Sequence, residues 1–231
     1  MLFLSTKKKK YFLKQKINLI KLIKVFLSRI YIRIMGLGLD VPSWHLNATF
    51  YTREYKKKVI KIYKNFNNKL DNVIEVGCGC GELISRLDNC KKLGIDIDKN
   101  VLKLCKRLHP ALETSCIDII SDFNIFENYI NEIDTESEIF IIMINWLHMY
   151  SSEEAKFLIK KILSLKKNII ILLDIYSRSQ FSKISENKIQ HNFNDLKEIK
   201  WAVNLELIDE VRDFNLLGNY IPNIDLKFQN I

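Results

Sequence analysis

Short apolar runs recur along the chain, separated by stretches with a helical period. Val73–Val76, Lys92–Asp98, Ser115–Ile119, Ile139–Ile144 and Asn168–Asp174 are such runs, and each ends at or near a polar residue. Their residues are apolar without strict alternation, as in parallel strands covered on both faces. Two later segments, Leu205–Phe214 and Ile224–Ile231, read as a closing pair of strands turned near Gly218-Asn219. Helices are predicted between the strands: over residues 50–66, from Lys99 behind the capping residue Asp98, and from Ser151 to about Leu165. Ser151, with Glu153 and Glu154 in the first turn, suits a helix N-terminus. Alternating strands and helices specify an α/β fold with a mostly parallel sheet and helices on both faces. Residues 176–195 are polar and irregular, and read as an insertion on the substrate side carrying His191.

Residues 1–38 form a separate extension, and residues 39–231 the main domain. Residues 1–16, with the lysine run Lys7–Lys10, read as disordered. Residues 17–35 are amphipathic: at 100° per residue, Leu19, Ile20, Ile23, Phe26, Leu27, Ile30 and Ile34 share one face. Lys14, Asn18, Lys21, Lys24, Ser28 and Arg29 share the other, and Met35-Gly36-Leu37-Gly38 ends the helix. Two uses are open. Such a helix can lie in an anionic membrane interface, or its apolar face can pack on the domain or on another subunit.

Charge is informative only once it is located. The net charge is +9, yet ten Lys and Arg and no acid precede Asp40. The remaining chain carries 26 basic and 27 acidic residues, so no nucleic-acid-binding face is expected there. The five cysteines, Cys78, Cys80, Cys90, Cys105 and Cys116, lack zinc-site spacing, so no metal is expected. Their odd number suits a reducing compartment. Basic residues interrupt every apolar stretch near the N-terminus, so neither a signal peptide nor a spanning segment of roughly 18 to 20 apolar residues is expected. The expected location is cytoplasmic, with peripheral attachment to the inner membrane face through residues 17–35 as an option.

The chemistry concentrates at Glu75-Val76-Gly77-Cys78-Gly79-Cys80-Gly81-Glu82. Glycines at alternate positions suit a backbone that a Cβ would forbid and a ligand lying on bare main chain. A dinucleotide turn requires Gly-x-Gly-x-x-Gly, and a P-loop requires Gly-Lys-Ser/Thr; neither occurs here. Asp96 stands beyond Val76 at the spacing, roughly 20 residues, where doubly wound folds hold ribose hydroxyls. Asp118 ends the third run, and Asn145-Trp146-Leu147-His148-Met149-Tyr150 follows the fourth.

This ordered set resembles class I S-adenosylmethionine-dependent methyltransferases. Trp44-His45 with Arg53 and Tyr55 is similar, less specifically, to small methyltransferases of bacterial surface-polysaccharide gene clusters. The resemblance covers residues 40–231 and implies a Rossmann-like, seven-stranded sheet whose last strand is antiparallel. It implies S-adenosylmethionine as cofactor, with Glu75, Gly77, Gly79 and Gly81 at its turn, Asp96 and the flanking Ile97 at the ribose, and Asp118 at the adenine amino group. Asn145 would line the same site, and residues 39–56 would form a lid with Arg53 or Tyr51 facing the methionine carboxylate. His148 and His45 are the candidate general bases, and His109, before Pro110, reads as a loop residue. The acceptor implied is a small molecule or sugar, O-methylated in surface-polysaccharide assembly. Two alternatives are a membrane-associated lipid or quinone methyltransferase and a non-catalytic cofactor-binding subunit.

Overall fold

A computed structural model describes residues 19–66, 70–165, 168–176, 203–209 and 212–218. Five strands, β1 (Asn72–Val76), β2 (Lys91–Asp96), β3 (Glu113–Cys116), β4 (Glu138–Met143) and β5 (Asn168–Tyr176), pair in parallel. β6 (Val203–Asp209) and β7 (Arg212–Gly218) close the sheet, and the strand order is β3-β2-β1-β4-β5-β7-β6. β7 is antiparallel to both β5 and β6. The helices are α1 (Leu19–Met35), α2 (Ser43–Asn47), α3 (Glu54–Lys64), α4 (Lys99–Leu108), α5 (Phe123–Glu132) and α6 (Ser152–Ser164).

β4 shows why the sheet is covered on both sides. Ile139, Ile141 and Met143 join the core beneath α5 and α6, with Phe126, Ile130, Leu158 and Ile162. Phe140 and Ile142 join the opposite core with Val59, Ile62, Tyr63 and Leu87. Residues of one strand alternate between faces, so an unbroken apolar run fills two cores at once. Asp98 caps α4, accepting from Asn100 N (2.8 Å) and Val101 N (3.1 Å). Ser151 and Glu154 form a reciprocal capping box on α6.

Two expectations need correction. Residues 50–66 are not one helix: a single 3-10 turn, Phe50–Thr52, is separated from α3 by Arg53 in an extended conformation. The Thr52 hydroxyl donates to Thr49 O (2.8 Å), and such local side-chain bonds compete with helix propagation. The glycine turn leads into another 3-10 turn, Ile84–Arg86, so no α-helix N-terminus faces the site from that connection. The closing hairpin reverses between Asp209 and Arg212, with Gly218 ending β7 rather than lying in the turn. The expected strand over 224–231 and the segment 177–195 with His191 lie outside the described residues, as do residues 1–18.

The N-terminal helix packs on the domain, but not through the face expected to do so. α1 docks through Ile32 and Met35 on a small core with Cys80, Val101 and Leu104 of the glycine turn and α4. Its predicted apolar face does not pack on the domain: Ile23, Phe26, Leu27 and Ile34 are exposed.

Candidate functional site

β1 lies between β2 and β4, and the chain leaves it for β2 on one side before returning to β4 on the other. The crevice beyond the C-terminal end of β1 is therefore the switch point where open α/β sheets hold ligands. The glycine turn sits there. Gly77 N (2.8 Å) and Cys78 N (2.9 Å) both donate to Ile95 O of β2, fixing the turn to the neighbouring strand.

All three glycines have positive φ, but they face different surroundings. A Cβ on Gly77 would lie 2.9 Å from Trp146 Cδ1, so this glycine admits the buried indole. One on Gly81 would lie 2.6 Å from Cys105 Sγ and 2.9 Å from Leu112 Cδ2, in the core. Gly79 is different: its Cβ would meet only the His45 ring, at 3.0 and 3.3 Å. Gly79 thus has no packed core side chain above its main chain, while Gly77 and Gly81 each admit a buried neighbour. A ligand laid there shares space with His45, which α2 carries, and α2 has no buried residue of its own.

Asp96, 9% exposed, faces this same position. Its Oδ2 accepts from Gly79 N (2.9 Å) and its Oδ1 from Asp98 N (3.0 Å). An ionised carboxylate has about four acceptor sites, so two remain for ligand hydroxyls. Ile97 is 63% exposed beside it, an apolar side chain at the lip of the crevice. Asp118 lies beyond β3 and folds locally, its Oδ1 accepting from Ile120 N (3.0 Å). Its charge reaches Tyr150, whose phenol is pushed up to about 12 by burial first and then by Asp118, Glu154 and Asp96. Tyr150 in turn stacks on Trp146, ring centroids 4.3 Å apart. Asn145 has φ 60° and an exposed position, and its N–H donates to Asp174 Oδ1 (2.6 Å).

Glu75 does not stand at the lip. It is buried, and its Oε2 accepts from Ile84 N (3.0 Å), holding the far side of the turn. Burial pushes its carboxyl up to about 8, against the lowering influence of Lys56 and of the Ile84 bond. The candidate bases separate. His148 is buried in the 3-10 turn Leu147–Met149, at 5% exposure. His45 is held below the ordinary histidine value, burial outweighing the nearby Asp96 and Asp98 carboxylates. His109 caps the end of α4, its N–H donating to Cys105 O (2.8 Å). Arg53 is exposed between the 3-10 turn Phe50–Thr52 and α3.

Three residues to which sequence reasoning gave no role tie down the segment before α3. Glu82 Oε2 accepts from Phe50 N (2.9 Å), and the Arg86 guanidinium lies over the Phe50 ring at 4.3 Å. Lys56, 8% exposed, donates to Ala48 O (2.8 Å). Burial lowers the Lys56 pKa, opposed by the Glu82 and Glu75 carboxylates. A signal existed: Lys56 is a cation on the buried stripe of α3 that continues through Val59 and Tyr63. Cys78 and Cys80 are packing residues; burial raises Cys80 to about 12, and a neighbouring Cys105 thiol first, then burial, holds Cys78 well above the ordinary thiol value. Thiols so raised are poor nucleophiles. Among the described residues no His, Cys, Asp and Glu cluster could hold a metal ion.

No family model matches the chain, and no curated protein is significantly similar to it. Solved structures are. Monomeric WbdD, described in a related structure as a bifunctional kinase-methyltransferase, aligns with TM-score 0.57 and 16% identity over 78% of this chain and 45% of its own. The chain therefore spans under half the length of WbdD. The N-methyltransferase NodS from Bradyrhizobium japonicum WM9, bound to S-adenosyl-L-homocysteine, aligns with TM-score 0.56 and 13% identity over 84% of this chain and 99% of its own. Magnesium protoporphyrin IX methyltransferase (ChlM) from Synechocystis PCC 6803, also with that product bound, gives 0.54 and 15% over 72% and 83%. The chain has the fold of these methyltransferases; identities this low establish the fold alone.

Proposed function

We propose that the chain is an S-adenosylmethionine-dependent methyltransferase. The observation that carries this reading is the pairing of Gly79 with Asp96 at the switch point: bare main chain with positive φ, and a carboxylate with acceptor capacity left over. A ligand with vicinal hydroxyls fits that pair better than a pyrophosphate, since no α-helix begins at the turn to receive a phosphate. S-adenosyl ligands bound to NodS and ChlM support the same cofactor.

The resemblance supports roles for the individual residues. Asp96 would accept the ribose hydroxyls, with Ile97 against one face of the base. Asp118 and Asn145 would close the adenine side, and Arg53 would meet the methionine carboxylate. Glu75 would hold the turn rather than touch the ligand. The cofactor supplies an electrophilic methyl group, so what the protein must add is alignment of an acceptor and removal of its proton where it is a hydroxyl. His45, whose pKa burial lowers, is the better-placed base, because it stands beside Gly79 whereas His148 is buried.

The acceptor we favour is a small molecule or sugar hydroxyl in surface-polysaccharide assembly. It rests on the Trp44-His45 and Arg53, Tyr55 resemblance. A membrane-associated lipid or quinone methyltransferase is the second reading, favoured by the exposed apolar face of α1. The test is production of S-adenosylhomocysteine with nucleotide sugars, lipid-linked sugars and quinones as separate acceptors. Turnover with a sugar supports the first reading, turnover with a quinone the second. Cofactor binding with no turnover on any of them would favour a non-catalytic subunit.

A further inference from the structure

α1 presents two faces with different chemistry. The docked face carries half-buried Val25, Ser28 and Met35 and fully buried Ile32. Around a helix at 100° per residue, Ile23, Phe26, Leu27 and Ile30 project from the opposite side, with exposures of 48%, 63%, 57% and 39%. Lys24 borders this apolar face on one side and Arg29 on the other. The helix is also fastened to the lid: Lys21 pairs with Glu54 at the start of α3, and Arg33 donates to Asn47 Oδ1 of α2 (3.2 Å). Arg107 of α4 donates to Met35 O (2.8 Å) and Leu37 O (2.9 Å), anchoring its C-terminal end. It is therefore a fixed part of the domain, displaying large apolar side chains that the described residues do not cover.

We propose that this face of α1 docks in the plane of an anionic lipid bilayer. Charge decides the occupant. Residues 1–39 carry ten basic side chains and no acid, matching a negative surface. A second copy would place the same basic set opposite itself in a two-fold contact, which like charges oppose. No helix among the described residues is long and apolar enough to cross a membrane, so the attachment is interfacial. Because α1 holds α2 and α3 through Arg33 and Lys21, the docked surface and the lid over Gly79 belong to one unit.

The experiment is flotation of the full chain with phosphatidylglycerol-containing vesicles, and with phosphatidylcholine vesicles alone, at low and high salt. The wild type should float with the anionic vesicles and release at high salt. Ile23→Glu with Phe26→Glu should weaken partition by at least about tenfold while leaving the thermal midpoint unchanged, since both side chains are exposed. Equal partition of the variant, or wild-type protein that stays unbound at low salt, overturns the proposal. So does a vesicle-free dimer in light scattering that the double variant dissociates, which would make the face a protein contact. No cofactor is present in this assay, so its failure leaves the methyltransferase reading intact.

Discussion

Alanine at Gly79 and at Gly81 should have unequal effects, although both glycines have positive φ and belong to the same turn. The left-handed backbone alone costs an L-residue about 1–2 kcal/mol at either position. At Gly81 the new methyl falls 2.6 Å from Cys105 Sγ and 2.9 Å from Leu112 Cδ2, both buried side chains held by core neighbours. Overpacking of this kind adds roughly 1–3 kcal/mol. At Gly79 the methyl meets only the His45 ring, at 3.0 Å, and α2 can let that ring swing outward. Gly79→Ala should therefore lose about 1–2 kcal/mol, and Gly81→Ala about 2–5 kcal/mol, a large share of the roughly 5–15 kcal/mol that stabilises a domain. Urea denaturation followed by circular dichroism measures both, with the slopes compared to check that the transition is unchanged. In the folded state, Gly79→Ala should also weaken S-adenosylhomocysteine. Equal midpoints, or a lower midpoint for Gly79→Ala, would refute the division of roles among these glycines.

Glu75 should make stability fall as pH rises. Its carboxyl has an ordinary value of 4.5 but sits at about 8 in the folded protein, so between these values the native state holds a proton that the unfolded chain has released. The contribution is complete below the unfolded value and lost through the folded one, by on the order of 1.4 kcal/mol for each pH unit crossed. Glu75→Gln should remove this slope in urea midpoints taken across that window; parallel profiles for the two proteins would contradict it. Ser151→Ala removes the hydroxyl of the capping box on α6 and should cost about 1 kcal/mol in the same assay, with no change indicating that Glu154 suffices alone. Arg53→Ala should weaken S-adenosylhomocysteine more than 5′-methylthioadenosine, which lacks the carboxylate; equal losses in calorimetry would remove Arg53 from the methionine end.

The parallel core was legible because β1, β4 and β5 are apolar on both faces, a pattern that only buried central strands need. Asp98 and Ser151 were legible as caps because capping acts over two or three residues of the chain. Contacts between distant segments were not. The bond from Phe50 to Glu82 and the packing of Trp146 on Gly77 each join segments far apart in the chain. Nothing local in either sequence announces such a partner. The same limit explains Gly77 and Gly81, which read like ligand-facing glycines but yield to neighbouring side chains. It also explains the closing hairpin, where alternation alone did not mark the reversal between Asp209 and Arg212. For α1, periodicity grouped Ile23, Phe26, Leu27 and Ile30 on one face but did not mark Ile32 and Met35, whose docking leaves that face exposed.

The methyltransferase reading stands or falls on Gly79 and Asp96 as the seat of an S-adenosyl cofactor. Calorimetric titration of S-adenosylhomocysteine into the wild type and into Asp96→Ala decides it. Saturable binding to the wild type is expected, with a loss of about 1–3 kcal/mol, or roughly 5- to 150-fold in affinity, in the variant. A folded wild type that gives no binding, or an Asp96→Ala variant that binds as tightly, would contradict it.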